Sequence, residues 1–184
     1  MHRHAPGFFP RASDAARGSL EGSTEHTVNI PLQPGASSQT LHRVYDEIIG
    51  PTVKQFDPQA IVIQCGADGA AGDPHAVWNL STDAYTYVIK EILQFHKPLL
   101  LLGGGGYSMV NTARIWAAIT STVCRPSSDT LPAEISIPQH EYWPEYAPDY
   151  SLDVAAGEMR DENNDAHLRE LRENLANRNT TTIH

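Results

Sequence analysis

The chain has 184 residues, 40% hydrophobic and 19% charged, enough for one ordinary domain with its own core. A net charge of −9 argues against a surface built to grip nucleic-acid phosphates, whereas it suits a basic peptide partner. Its longest fully apolar run, Leu99 to Leu102, is too short to cross a bilayer, and no leader segment is evident, which predicts a cytosolic or nuclear protein with no membrane partner.

Met1 to Pro10 shows neither helix start nor strand alternation. Phe8 and Phe9 lie between Pro6-Gly7 and Pro10 and are expected on a stiff loop, either lining a groove or plugging the domain body. Arg11 to Ser23 reads as an irregular surface loop. Thr27 to Leu32 alternates and is β-branched, which predicts a short strand. Ser37 or Ser38 then caps a helix to about Gln55, with Leu41, Val44, Tyr45, Ile48 and Ile49 on one face and Pro51 breaking or kinking it late.

Ala60 to Gln64 is a continuous apolar strand of the parallel-sheet kind. Ser81 or Thr82 caps a helix to about His96, with a buried stripe of Tyr85, Val88, Ile89, Ile92 and Leu93. Leu99 to Leu102 is the next strand, and Asn111 to Val123 the next helix, turning Ile115, Trp116, Ile119 and Val123 inward. The alternation predicts an α/β fold with a small parallel sheet of three strands joined by right-handed crossovers. Ser127 to Tyr150, rich in Pro and aromatics, is expected to be irregular and pinned onto the domain. From Ala155 the chain turns polar, with a charged surface helix over Asp161 to Asn177 through Leu168, Leu171 and Leu175. Cys65 and Cys124 form no CxxC pattern and read as buried free thiols.

The chemistry concentrates just beyond the two apolar strands, where open α/β sheets bind ligands. Asp68 follows the first, in Gln64-Cys65-Gly66-Ala67-Asp68, and is either a metal ligand or an Asx-turn former. Asp73, before Pro74, reads as a turn former or a group that orients a ligand or histidine. His75 lines the site mouth or is simply a solvated loop histidine. Gly103 to Gly106 cost backbone entropy that a close approach or a positive φ would justify. The run lacks a P-loop's Lys and Ser/Thr and is not GxGxxG, which argues against phosphate binding. Tyr107 directly after it is a candidate oxyanion donor, or an ordinary aromatic at a helix start.

Together these motifs are specific. Pro-Gly-Phe-Phe-Pro at 6–10, Gln-Cys-Gly-Ala-Asp at 64–68, Gly-Asp-Pro at 72–74 and Gly-Gly-Gly-Gly-Tyr at 103–107 are followed by Asn111-Thr112-Ala113-Arg114-x-Trp116, Ile137-Pro138-x-His140-Glu141 and Tyr146-x-Pro148-Asp149-Tyr150. In this order, over about residues 1–154, they resemble the C-terminal half of the class I zinc-dependent histone deacetylases, in the histone deacetylase 8-like group of the arginase–deacetylase superfamily. The resemblance implies a three-layer α/β fold with a central parallel sheet, its N-terminal half missing here. Residues 155–184 are expected to form a polar, partly helical tail outside it.

It also implies hydrolysis of N-acetyl-lysine amides, with histone tails as substrate, corepressor proteins as partners and a nuclear or cytoplasmic location. Asp68 matches a zinc-ligating aspartate and Tyr107 the tyrosine that polarises the acetyl carbonyl. Phe9 matches a wall of the lysine tunnel, with Gly7 beside it. His75 falls on the tunnel rim, and Gly104 and Gly105 match the backbone lining the acetyl pocket. Zinc is the implied cofactor, with a structural monovalent cation beside it. The family's His-His pair and its Asp-x-His ligands belong upstream of the resembling region, so a fragment, inactive alone, is expected. The alternatives are a non-catalytic interaction module and a relative acting on acetylpolyamines.

Overall fold

The computed structural model describes residues 28–75, 77–125 and 132–181. They fall into two compact units, the larger being Ser37–Met159 and the smaller joining residues up to Ala36 with those from Arg160.

The larger unit opens with α1 (Ser38–Val44), capped by the Ser37 hydroxyl, which accepts the Thr40 N–H at 3.2 Å. A single π-helical turn, Tyr45–Ile49, follows, and then α2 (Gly50–Phe56) with Pro51 in its first turn. The expected late break at Pro51 is thus a π-bulge that carries the helix past the ring. The proline's missing N–H falls where a widened turn can do without it. Asp57 ends α2 in the left-handed conformation at φ 47°.

Strand β1 (Ile61–Gln64) pairs in parallel with β2 (Leu99–Leu102), Ile61 opposite Leu99 and Gln64 opposite Leu102. Between them runs α3 (Thr82–Leu93), and after β2 comes α4 (Met109–Cys124). Both strands alternate between half-buried and exposed residues. Ile63 and Leu101 pack on a core of Cys65, Ala67, Ala70, Ile89, Ile115, Ile119 and Val154. Val62, Leu100 and Leu102 face away, at 61%, 55% and 47% exposure. These all-apolar strands therefore show one covered face among the described residues, not the doubly buried setting their sequence suggests.

Of the expected third strand, Thr27 to Leu32, the described residues 28–32 are irregular, and among the described residues the sheet has two strands. The apolar alternation still buries Ile30 and Leu32. Side chains of the smaller unit replace a neighbouring strand, however. Asn163 accepts the Gln33 N–H and donates to the Gln33 carbonyl, and the His167 ring lies 3.0 Å from the Pro31 carbonyl. Pro31 itself has no N–H for a ladder. In the same unit α5 (Asp165–Thr181) buries Leu168 and Leu171, while Leu175 lies outside the described side chains.

Other expectations also shift. Cys65 is buried but Cys124 is exposed, because α4 turns Thr112, Ile115, Ala118, Ile119 and Thr122 inward and leaves its last residue outside that stripe. Trp116 is 37% exposed, and its indole reaches the end of β1 instead of the core. The α3 stripe centres on Ile89 and Ile92, with Tyr85, Val88 and Leu93 half-buried.

Residues 132–154 contain no long element, as the prolines and aromatics up to Tyr150 predict. Short 3-10 turns at Pro132–Glu134 and Trp143–Tyr146 flank an antiparallel bridge of Ser136 with Ser151. Trp143 stacks on Tyr150 at 3.8 Å, and Thr82 fastens the end of the segment to α3 by donating to the Leu152 carbonyl and accepting the Val154 N–H.

Candidate functional site

The two Gly-rich turns leave the same end of the parallel sheet and run side by side. Cys65 N–H donates to the Leu102 carbonyl at 2.8 Å, and Ala67 N–H to the Gly105 carbonyl at 2.6 Å. The ladder therefore continues past both strands into the turns. This explains the glycine run: a Cβ on Gly104 would lie 2.7 Å from the Gly66 Cα, closer than such contacts occur. The Trp116 indole N–H donates to the Cys65 carbonyl at 2.8 Å, so α4 holds the first turn from its other side.

Asp68 is half-buried against the second turn, where a Cβ on Gly105 would lie 2.7 Å from its Oδ2. Asp68, Gly104 and Gly105 are thus brought together. A second group forms from the loop beyond. Asp73 is 3% exposed, and its Oδ2 accepts the Tyr107 N–H at 2.8 Å. Its Oδ1 accepts the His75 N–H at 2.9 Å. The His75 ring meets the Tyr107 ring edge-on, with centroids 4.4 Å apart and planes at 85°. Tyr107 remains 56% exposed, its phenol open to a ligand. Gly106 beside it has φ 142°, a conformation that a side chain would strain, and a Cβ there would collide with Thr112. Gly7 and Phe9 lie outside the described residues.

The sequence left Asp73 open between a turn former and a group that orients a ligand or histidine, because Asp before Pro reads first as a turn. The turn is real, since Oδ1 makes an Asx-turn to His75, yet the other oxygen holds a residue 34 positions away. The one sequence signal available was an Asp-Pro pair inside a Gly-rich segment that already carried a candidate ligand.

Among the described residues no three His, Cys, Asp or Glu side chains converge as a metal-binding group. One carboxylate falls short of the three protein ligands or so that a catalytic zinc needs, so the described residues by themselves do not fit that ion. Burial pushes the Cys65 thiol up from its ordinary pKa, which disfavours the thiolate.

The histone deacetylase domain matches residues 1–123. Histone deacetylase 8 of Xenopus tropicalis is 35% identical over 175 residues, which is 95% of this chain and 46% of the relative. Histone deacetylase 8 of Danio rerio is 37% identical over 168 residues, covering 91% of this chain and 43% of the relative. Histone deacetylase 19 of Arabidopsis thaliana is 35% identical over 170 residues, covering 91% of this chain and 32% of the relative. The chain therefore spans less than half the length of each of these relatives. With a domain match over most of its length and both strand-exit turns in place, the chain belongs to the histone deacetylase family.

Proposed function

We propose that this chain carries the Asp68–Tyr107 half of a lysine deacetylase site, which hydrolyses the amide of N-acetyl-lysine in a protein such as a histone tail. The observation that carries the reading is the pairing of the two turns beyond β1 and β2, which sets Asp68 against Gly105 and exposes the Tyr107 phenol at the same sheet end. An amide carbonyl gains negative charge on oxygen as water adds, and a fixed phenol O–H stabilises it by hydrogen bonding. Tyr107 supplies that donor. Gly104 and Gly105 offer bare backbone to a small acyl group, and the His75 ring walls the entrance. The net charge of −9 favours encounter with a basic peptide.

Zinc is the cofactor implied by the resemblance, and Asp68 is the ligand this chain would bring to it. The described residues by themselves do not complete such a site. The other ligands and the general base are expected from the part of the fold that the longer relatives have beyond the matched region. The three-layer arrangement belongs to the same proposal: the exposed Val62, Leu100 and Leu102 form the sheet face on which a further layer packs. Corepressor partners and a nuclear or cytoplasmic location go with it.

The test is an acetyl-lysine peptide assay on the 184-residue chain with added zinc. The half-site reading predicts no turnover above buffer. Robust turnover by the chain alone, abolished by Tyr107→Phe, would show that the site is complete here and overturn the reading.

A further inference from the structure

The Asp73 carboxylate spends both oxygens on backbone N–H groups from different turns. Oδ1 takes His75 within its own loop at 2.9 Å, and Oδ2 reaches Tyr107 at 2.8 Å. The side chain is buried at 3% exposure, and an ionised acceptor makes such bonds strong and directional. The two residues it holds are the ones whose rings meet edge-on at 4.4 Å. On the far side of Tyr107 the chain enters α4, where the Thr112 N–H donates to the Ser108 carbonyl at 2.8 Å. Tyr107 is thus fixed at its backbone N–H and by the helix start that follows, while its phenol stays exposed.

We infer that Asp73 is a positioning residue for Tyr107, a single carboxylate clamp that sets the tyrosine and its neighbour His75 in one geometry before substrate arrives. This rests on the reading that Tyr107 is the working phenol. The clamp needs a carboxylate. An asparagine has one acceptor oxygen for two N–H groups and turns an NH2 toward the second donor.

The test uses the 184-residue chain, unchanged and as Asp73→Asn and Asp73→Ala, followed by NMR. The expected result is slow amide exchange at His75 and Tyr107 in the unchanged chain, with ring-current shifts between the two aromatic rings. In Asp73→Ala both amides should exchange about tenfold faster or more, as lost hydrogen bonds to a charged group imply, and the ring shifts should collapse. Ile89 in α3 and Ile119 in α4 should keep their protection, which a general loss of stability would not allow. If Asp73→Ala unfolds, Asp73→Asn decides, with loss at one amide or both supporting the clamp. Full protection of both amides and unchanged ring shifts in the folded variants would overturn it, as would a Tyr107 amide in the unchanged chain that exchanges like an unstructured peptide. None of these readouts needs turnover, so an intact clamp in a chain that hydrolyses the acetyl-lysine peptide by itself would strike the half-site reading alone.

Discussion

Gly105 shows how tightly single positions set the site. A Cβ there would lie 2.7 Å from Asp68 Oδ2 and 2.8 Å from its Cγ, so either the carboxylate moves or the turns separate. Gly105→Ala is therefore expected to cost about 1–3 kcal/mol in a urea titration, as overpacking does. Tyr107→Phe, at a side chain 56% exposed, should stay within about 0.5 kcal/mol of the unchanged chain, as surface changes do. An equal loss in both would contradict the packing described. That Asp68 and Tyr107 stand at the exits of neighbouring strands was legible in the sequence because each follows an apolar run. The contact of Asp73 with Tyr107 was not, since it depends on two distant turns meeting, and local spacing carries no trace of that.

At the scale of elements, β1, β2, α3 and α4 were legible because each combines an unbroken apolar pattern with a turn or proline at its ends. Thr27 to Leu32 has the same alternation, but Pro31 lacks an N–H, its carbonyl lies against the His167 ring, and Asn163 takes the backbone of the following Gln33. Periodicity reports burial, and it cannot say what receives the backbone hydrogen bonds. The π-turn shows a further coupling of element and chemistry. Burial first, then the charges of Glu91 and Asp46, push the Tyr45 phenol up to about 12. Tyr87 is raised as well, chiefly by donating its O–H to Asp46 at 2.6 Å. For a raised acid the protonated form is the one the fold favours. Its stabilisation is whole below the unfolded value of about 10 and is lost as pH climbs through the folded value. Thermal melts should therefore show a Tyr45-dependent fall in stability beginning near pH 10 and absent from Tyr45→Phe. A variant whose alkaline profile matches that of the unchanged chain would contradict this.

At the largest scale, the notable property is that the described residues form a two-stranded parallel sheet with one apolar face exposed, in a chain less than half as long as the named relatives. In the proposed reading Val62, Leu100 and Leu102 on that face seat further structure, and Asp68 is one ligand of a larger set. The most direct measurement mixes the 184-residue chain with a separately produced polypeptide carrying the part of Danio rerio histone deacetylase 8 outside the matched region, adds zinc, and follows acetate release from an acetyl-lysine peptide. The account predicts that neither piece alone has activity, that the mixture does, and that Tyr107→Phe in this chain lowers it about 100-fold or more, as loss of an oxyanion donor does. A mixture whose activity is indifferent to Tyr107→Phe would contradict it.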